Sequence, residues 1–175
     1  MSLALVLTVV PSNAAMAYSA SNPTLTGLPV VGLNYVRQGN LVGFWQNILY
    51  ADSYITKCLS VNSLHAIDGH FGSRSHQYTG YWQSHFGLTG DGIVGPNTWG
   101  NMWSRVYASN SSLGDGHVHY YKYYDGSFHD ISFIRLTTTS AYDHALEGEW
   151  GFHSKSNPNG DMADLDYPAI TFYPC

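Results

Sequence analysis

Charge is scarce in this 175-residue chain: charged residues make up 11%, with seven Lys and Arg against twelve Asp and Glu, and the formal net charge is −5. A shortage of basic residues argues against nucleic acid or an anionic membrane surface as the main partner, because both select for positive patches. Long apolar runs are missing as well. The stretch from Leu3 to Val10, broken only by Thr8, falls short of a bilayer crossing. Cysteine is limited to Cys58 and Cys175. The chain has no Gly-x-Ser-x-Gly elbow, no His-Glu-x-x-His and no glycine-rich phosphate loop, which removes the usual serine-hydrolase, zincin and nucleotide signatures. A hydrophobic share of 44% sets the sequence apart from disordered chains.

The opening segment has the form of an export leader. Its apolar run is followed by Pro11-Ser12-Asn13 and then the small-x-small site Ala15-Met16-Ala17. Nothing basic precedes the run, so either the true start lies upstream or the basic region is weak. Residues 1–17 are read as a signal peptide and 18–31 as a linker, with Ser19 to Pro29 rich in Ser, Asn, Pro, Thr and Gly. The expected location is secreted, extracellular or associated with the cell wall, with no membrane insertion after cleavage. In such an oxidising compartment Cys58 and Cys175 pair as a disulfide. A bridge closing so long a loop contributes on the order of 4–5 kcal/mol in the chain-entropy model. The 14 Tyr, 7 Phe and 5 Trp are read chiefly as filling for two small cores, although such rings also suit carbohydrate-like ligands.

Residues 32–107 carry helical periodicity. Leu41, Phe44, Trp45, Ile48 and Leu49 form one stripe at i, i+3, i+4, i+7 and i+8. Tyr78, Tyr81, Trp82, His85 and Phe86 form a second, and Trp99, Met102, Trp103 and Val106 a third. Asp68-Gly69-His70-Phe71-Gly72 precedes the second stripe and Asp91-Gly92-Ile93-Val94-Gly95 the third. Asp-Gly followed by a second glycine allows tight reversal, and Pro96 suits a first helical turn. Gly43-Phe44-Trp45-Gln46 is echoed by Gly80-Tyr81-Trp82-Gln83 at a different spacing, so the pattern is a pseudo-repeat. Residues 108–175 read as a small β-rich region. Strands over His117 to Tyr124 and Ser127 to Leu136 flank an Asp125-Gly126 hairpin turn, with further strands over Glu149 to His153 and Ala169 to Tyr173 and a loop over Lys155 to Asp166. The predicted class is α+β: an N-terminal three-helix bundle followed by a small antiparallel β unit.

The run Ile67-Asp68-Gly69-His70-Phe71-Gly72, then Tyr81-Trp82-Gln83, Gly87-Leu88 and Asp91-Gly92-Ile93-Val94-Gly95-Pro96-Asn97-Thr98-Trp99, resembles the peptidoglycan-binding domain appended to bacterial cell-wall hydrolases. The resemblance covers about 65 residues, with an insert from Asp52 to Ala66 that departs from the compact family pattern. It implies a three-helix fold and peptidoglycan as ligand, bound without chemistry. Asp68, Gly69, Gly72, Asp91, Gly92, Gly95 and Pro96 are first of all turn formers. Gln46 and Gln83 are read as buried helix residues bonded to loop backbone. His70, Arg74, Tyr78 and Asn97, beside the loops, are the ligand-contact candidates.

No catalytic constellation is legible. Asp125, Asp130, Asp143, Glu147 and Glu149 have no defined cleft between them. His117, His119 and His129 are weak zinc candidates, and solvent-facing or core histidines are the commoner reading of such a pattern; His144, Glu147, Glu149 and His153 form a looser cluster that fits no zinc-peptidase motif. The leading expectation is a secreted, non-catalytic peptidoglycan-binding protein without a cofactor. The alternative is a small zinc-dependent wall peptidase or amidase with the C-terminal region as its catalytic part. A wall enzyme or another secreted protein is a further candidate partner for that region.

Overall fold

The computed structural model describes residues 24–56, 66–108, 118–123, 131–136, 150–152, 163–165 and 169–172. The expected leader over 1–17, the Cys58–Cys175 pair, and the Asp125-Gly126 bend lie outside these residues.

Three helices form where the periodicity places them: α1 (Asn40–Ala51), α2 (Ser73–His85) and α3 (Pro96–Trp103). The stripe on α1 is buried along its length, and of that helix's residues Tyr50 alone is not buried. An amphipathic helix in a small bundle keeps a solvent face. This one is enclosed on every side.

The second stripe has a different phase from the one predicted. The buried residues of α2 are Ser75, Thr79, Trp82 and Gln83, while Tyr81 is 53% exposed and His85 is exposed. Small polar groups face inward here because their neighbours need hydrogen-bond partners. The Trp45 indole donates to Thr79 Oγ1 at 2.8 Å. Each helix contributes one buried tryptophan, and Trp45 meets both Trp82 (5.1 Å, 77°) and Trp99 (5.4 Å, 83°) edge-on. Edge-to-face contact sets the positive ring edge against the negative face. The other two indoles are satisfied as well, Trp82 by Asp52 Oδ2 and Trp99 by the Pro29 carbonyl.

The last part of the presumed linker is structural. Leu25, in a 3-10 turn over Leu25–Gly27, and Leu28 are buried against the bundle. Val31 exchanges two backbone hydrogen bonds with Val94, at 3.1 and 2.9 Å. Polar composition suggested a tether, but two leucines suffice to seat the segment over α3.

A five-stranded antiparallel sheet follows in the order of the chain: β1 (Val106–Ala108), β2 (Val118–Tyr123), β3 (Ile131–Leu136), β4 (Trp150–Phe152) and β5 (Ala163–Asp164). The fold is therefore α+β as expected, with three corrections to the strands. β1 takes in Val106, read above as the end of the third helical stripe, and the β2–β3 register runs from Val118↔Leu136 to Tyr123↔Ile131. β5 forms inside the stretch read as a loop. Residues 169–172, read as part of a strand, pair with no strand. Their hydrogen bonds go instead to a helix side chain: Thr171 N donates to Asn40 Oδ1 (2.9 Å), and Asn40 Nδ2 donates to Thr171 Oγ1 (2.7 Å) and to the Asp164 carbonyl (2.8 Å).

Helices and sheet share one hydrophobic cluster, where two small cores were expected. Phe44 on α1 stacks on Trp99 at 6.4 Å and packs against Phe133 and Phe152, each at 5.5 Å. Phe172 lies across α1 at Gly43, where a Cβ would fall 2.1 Å from its ring. A helical unit of this size buries little of its surface alone, and the sheet covers the face of α1 that would otherwise meet water. Phe44→Ala is expected to cost on the order of 3–5 kcal/mol. Calorimetry and tryptophan fluorescence on the whole chain should show a single coincident unfolding transition. Two separated transitions would contradict the shared core.

Candidate functional site

Two similar clasps fix the loops ahead of α2 and α3. In the first, Gln46 Oε1 accepts from the backbone N–H groups of Asp68 (3.0 Å) and Gly69 (2.7 Å). Its Nε2 donates to Asp68 Oδ1 (2.7 Å) and to the His70 carbonyl (3.1 Å). In the second, Gln83 Oε1 accepts from Gly92 N (2.8 Å), while its Nε2 donates to Asp91 Oδ1 (2.9 Å), the Ile93 carbonyl (2.8 Å) and Thr98 Oγ1 (2.9 Å). Each aspartate also accepts from the backbone N–H two residues on, at His70 (2.8 Å) and Ile93 (2.9 Å). Gly69 and Gly92 occupy the left-handed region at φ 73° and 68°. A Cβ at Gly92 would lie 2.4 Å from His76 Nδ1, so crowding adds to backbone strain there. Phe71 and Val94, between the glycines of each loop, are buried plugs. Gly72 and Gly95 stand at the N-caps, and Pro96 opens α3.

The ligand-contact candidates are set by these clasps. His70 is exposed on the first loop, Arg74 is exposed on the first turn of α2, and Tyr78 is half-buried one turn further along. Tyr78 meets Tyr81 edge-on at 6.0 Å, and the Tyr81 hydroxyl accepts from Gln77 Nε2 at 2.8 Å. Arg74, Tyr78 and Tyr81 recur at i, i+4 and i+7, so they line one face of the helix. Asn97 is the second residue of α3 as Arg74 is of α2. It is exposed, but it stands on α3 beside the second loop and not in the row of Arg74, Tyr78 and Tyr81.

Sequence reasoning missed one feature. The chain ahead of α1 pairs with the first loop: Gln38 bridges His70, Phe71 N donates to the Arg37 carbonyl (2.7 Å), and Gly39 N donates to the Gly69 carbonyl (3.0 Å). A cleft lined by Arg37, Gln38, His70, Phe71 and Gly72 results. A contact between segments some thirty residues apart has no local mark in the sequence.

Of the weak zinc candidates, His117 and His129 lie outside the described residues, and His119 stands on β2 opposite Arg135. Among the described residues no three His, Cys, Asp or Glu side chains gather as metal ligands. Among them, too, no helix is long and apolar enough to cross a membrane.

Residues 38–102 match the family model described as "Putative peptidoglycan binding domain". The matched segment begins in the strand-like stretch ahead of α1 and ends within α3, so it takes in both clasps and stops short of the sheet. It is less than half of the chain. The match supports peptidoglycan as a partner and association with the cell wall. Comparison with curated proteins and with solved structures gives no match.

The clasps carry a direct expectation. Gln83→Leu removes a buried donor and acceptor together, leaving Gly92 N–H without its carboxamide partner, and should cost on the order of 2–4 kcal/mol in urea unfolding. Gln77→Leu on the outer face of α2 should stay within about 1 kcal/mol of the parent.

Proposed function

Taking residues 38–102 as a peptidoglycan-binding fold, we propose that this chain is an exported protein that holds cell-wall material without cleaving it. The contact face runs along the first loop and α2 through His70, Arg74 and Tyr78, with Asn97 on the first turn of α3 as a further contact. The observation that carries this reading is the coincidence of the family match with the two-clasp bundle. Export is supported by the apolar leader and its Ala15-Met16-Ala17 site. The chemistry of the face fits holding rather than cleaving. It presents an imidazole, a guanidinium, phenols and a carboxamide, while Asp68 and Asp91 are engaged with loop backbone through Oδ1. Such groups suit amides, carboxylates and sugar hydroxyls.

The Cys58–Cys175 bridge belongs to the same reading, as a covalent tie between the insert of the helical part and the chain's end. Thiol labelling of secreted protein should find both cysteines blocked until reduction. Labelling of either one without reductant would remove the bridge.

The purified chain should pellet with insoluble peptidoglycan and leave it intact in a wall zymogram. His70→Ala and Arg74→Ala should each weaken cosedimentation by about three- to tenfold without lowering the melting temperature, as expected for exposed contacts of roughly 1 kcal/mol. Retention in the supernatant across salt and pH, while a known wall binder pellets, would overturn the reading.

A further inference from the structure

We propose that the cleft between Arg37–Gln38 and the first loop takes a free carboxylate of the wall's stem peptide, with Arg37 as its anchoring cation. This assignment rests on the wall-binding reading above and adds to it a ligand group and a residue. The cleft, of about 280 Å³, is lined by Arg37, Gln38, His70, Phe71 and Gly72.

Charge is the first argument. The whole chain is net negative and has seven Lys and Arg. Among the described arginines, Arg105 lies over the Phe86 ring at 3.7 Å and bonds to Asn101, and Arg135 is engaged within the fold. The guanidiniums of Arg37 and Arg74 have no hydrogen bond or ion pair among the described residues. One lines the cleft, and the other stands two residues beyond Gly72, which also lines it. The nearby loop carboxylate keeps its charge but is turned to the loop and makes no ion pair with either arginine among the described residues. Asp68 Oδ1 is taken up by Gln46 Nε2 and His70 N, and the first turn of α2 has no acidic residue.

Rigidity is the second argument. Arg37 and His70 project from backbones that are paired to each other through the Gln38–His70 bridge and the bonds at Phe71 and Gly39. A cation on a fixed base loses less freedom when it binds than one on a loose loop. Sugar hydroxyls and acetamides call for no free guanidinium. Stem peptides offer carboxylates, and the planar fork of Arg matches a carboxylate bidentately.

The test uses the whole chain and three probes: a soluble stem peptide with free carboxylates, the same peptide with its carboxylates amidated, and an uncharged oligosaccharide of N-acetylglucosamine. The parent should bind the free-acid peptide at least about tenfold more tightly than the amidated one. Arg37→Gln should lose that preference while keeping the parent's melting temperature, and Arg37→Lys should restore part of it. Binding to the uncharged oligosaccharide should be the same in all three proteins. Equal affinity of the parent for acid and amide, or an unchanged preference in Arg37→Gln, overturns the assignment. In either case cosedimentation of the parent with whole peptidoglycan leaves wall binding standing. Failure of the parent to cosediment overturns both.

Discussion

The carboxamides of Gln46 and Gln83 hold the loops of this protein to its helices. Each stands on a helix and faces an Asp-Gly bend, where it must do two opposite things at once. Its oxygen receives backbone N–H groups, and its nitrogen donates to an aspartate oxygen and to a loop carbonyl. A glutamate could accept but not donate, and it would set its charge against that of the aspartate. A leucine would leave the bend's polar groups without partners in a place where water cannot reach them. The glycine at positive φ completes the requirement by turning its N–H toward the amide. Helix, bend and following helix are thereby fixed as one unit, and the unit is used twice in succession with α2 shared between the copies.

The rest of the packing follows from that sharing. With α2 held at both ends by loops, its inner face is given to Ser75, Thr79 and Gln83, and bulk is supplied by one tryptophan per helix. Trp45 stands between the other two rings. On the opposite side of α1, Phe44 continues the aromatic contact into Phe133 and Phe152. The chain's last described residues close the arrangement. Asn40 ties down Thr171, and Gly43 leaves room for the Phe172 ring, so α1 has no exposed face.

What was legible in the sequence was whatever is local and periodic. The α1 stripe, the paired Asp-Gly bends and the change to β-prone texture near residue 108 each leave a mark within a dozen residues. The α2 stripe misled because tyrosine reads as apolar in a pattern, whereas the inward positions of this helix are chosen for hydrogen bonding. The third stripe misled at its end because Val106 is apolar at helical spacing, yet its backbone pairs with Tyr123 across the sheet. β5 and the Thr171 tie were illegible for a different reason: both depend on a helix side chain more than a hundred residues away. Arg37 belongs with them, since only the pairing of its segment with the first loop brings it beside His70.

The enclosure of α1 also decides where a large ligand can make contact. A polymer cannot use a helix whose residues are nearly all buried, and the side of α1 beyond the tryptophans is occupied by the sheet. The second loop leans on α2, with His76 Nδ1 3.2 Å from the Gly92 carbonyl and Gly80 close against Gly90. The outward row of α2 stays open, together with the first loop and the paired segment beside it. On that surface lie Arg37, His70, Arg74 and Tyr81, so free cationic and aromatic groups occur together on the side the fold leaves uncovered. Among the described residues Arg37 and Arg74 have no hydrogen-bond or ion-pair partner, so both stay available to an anionic group that reaches this surface. The same enclosure that completes the core therefore decides which face of the fold stays open to the proposed ligand.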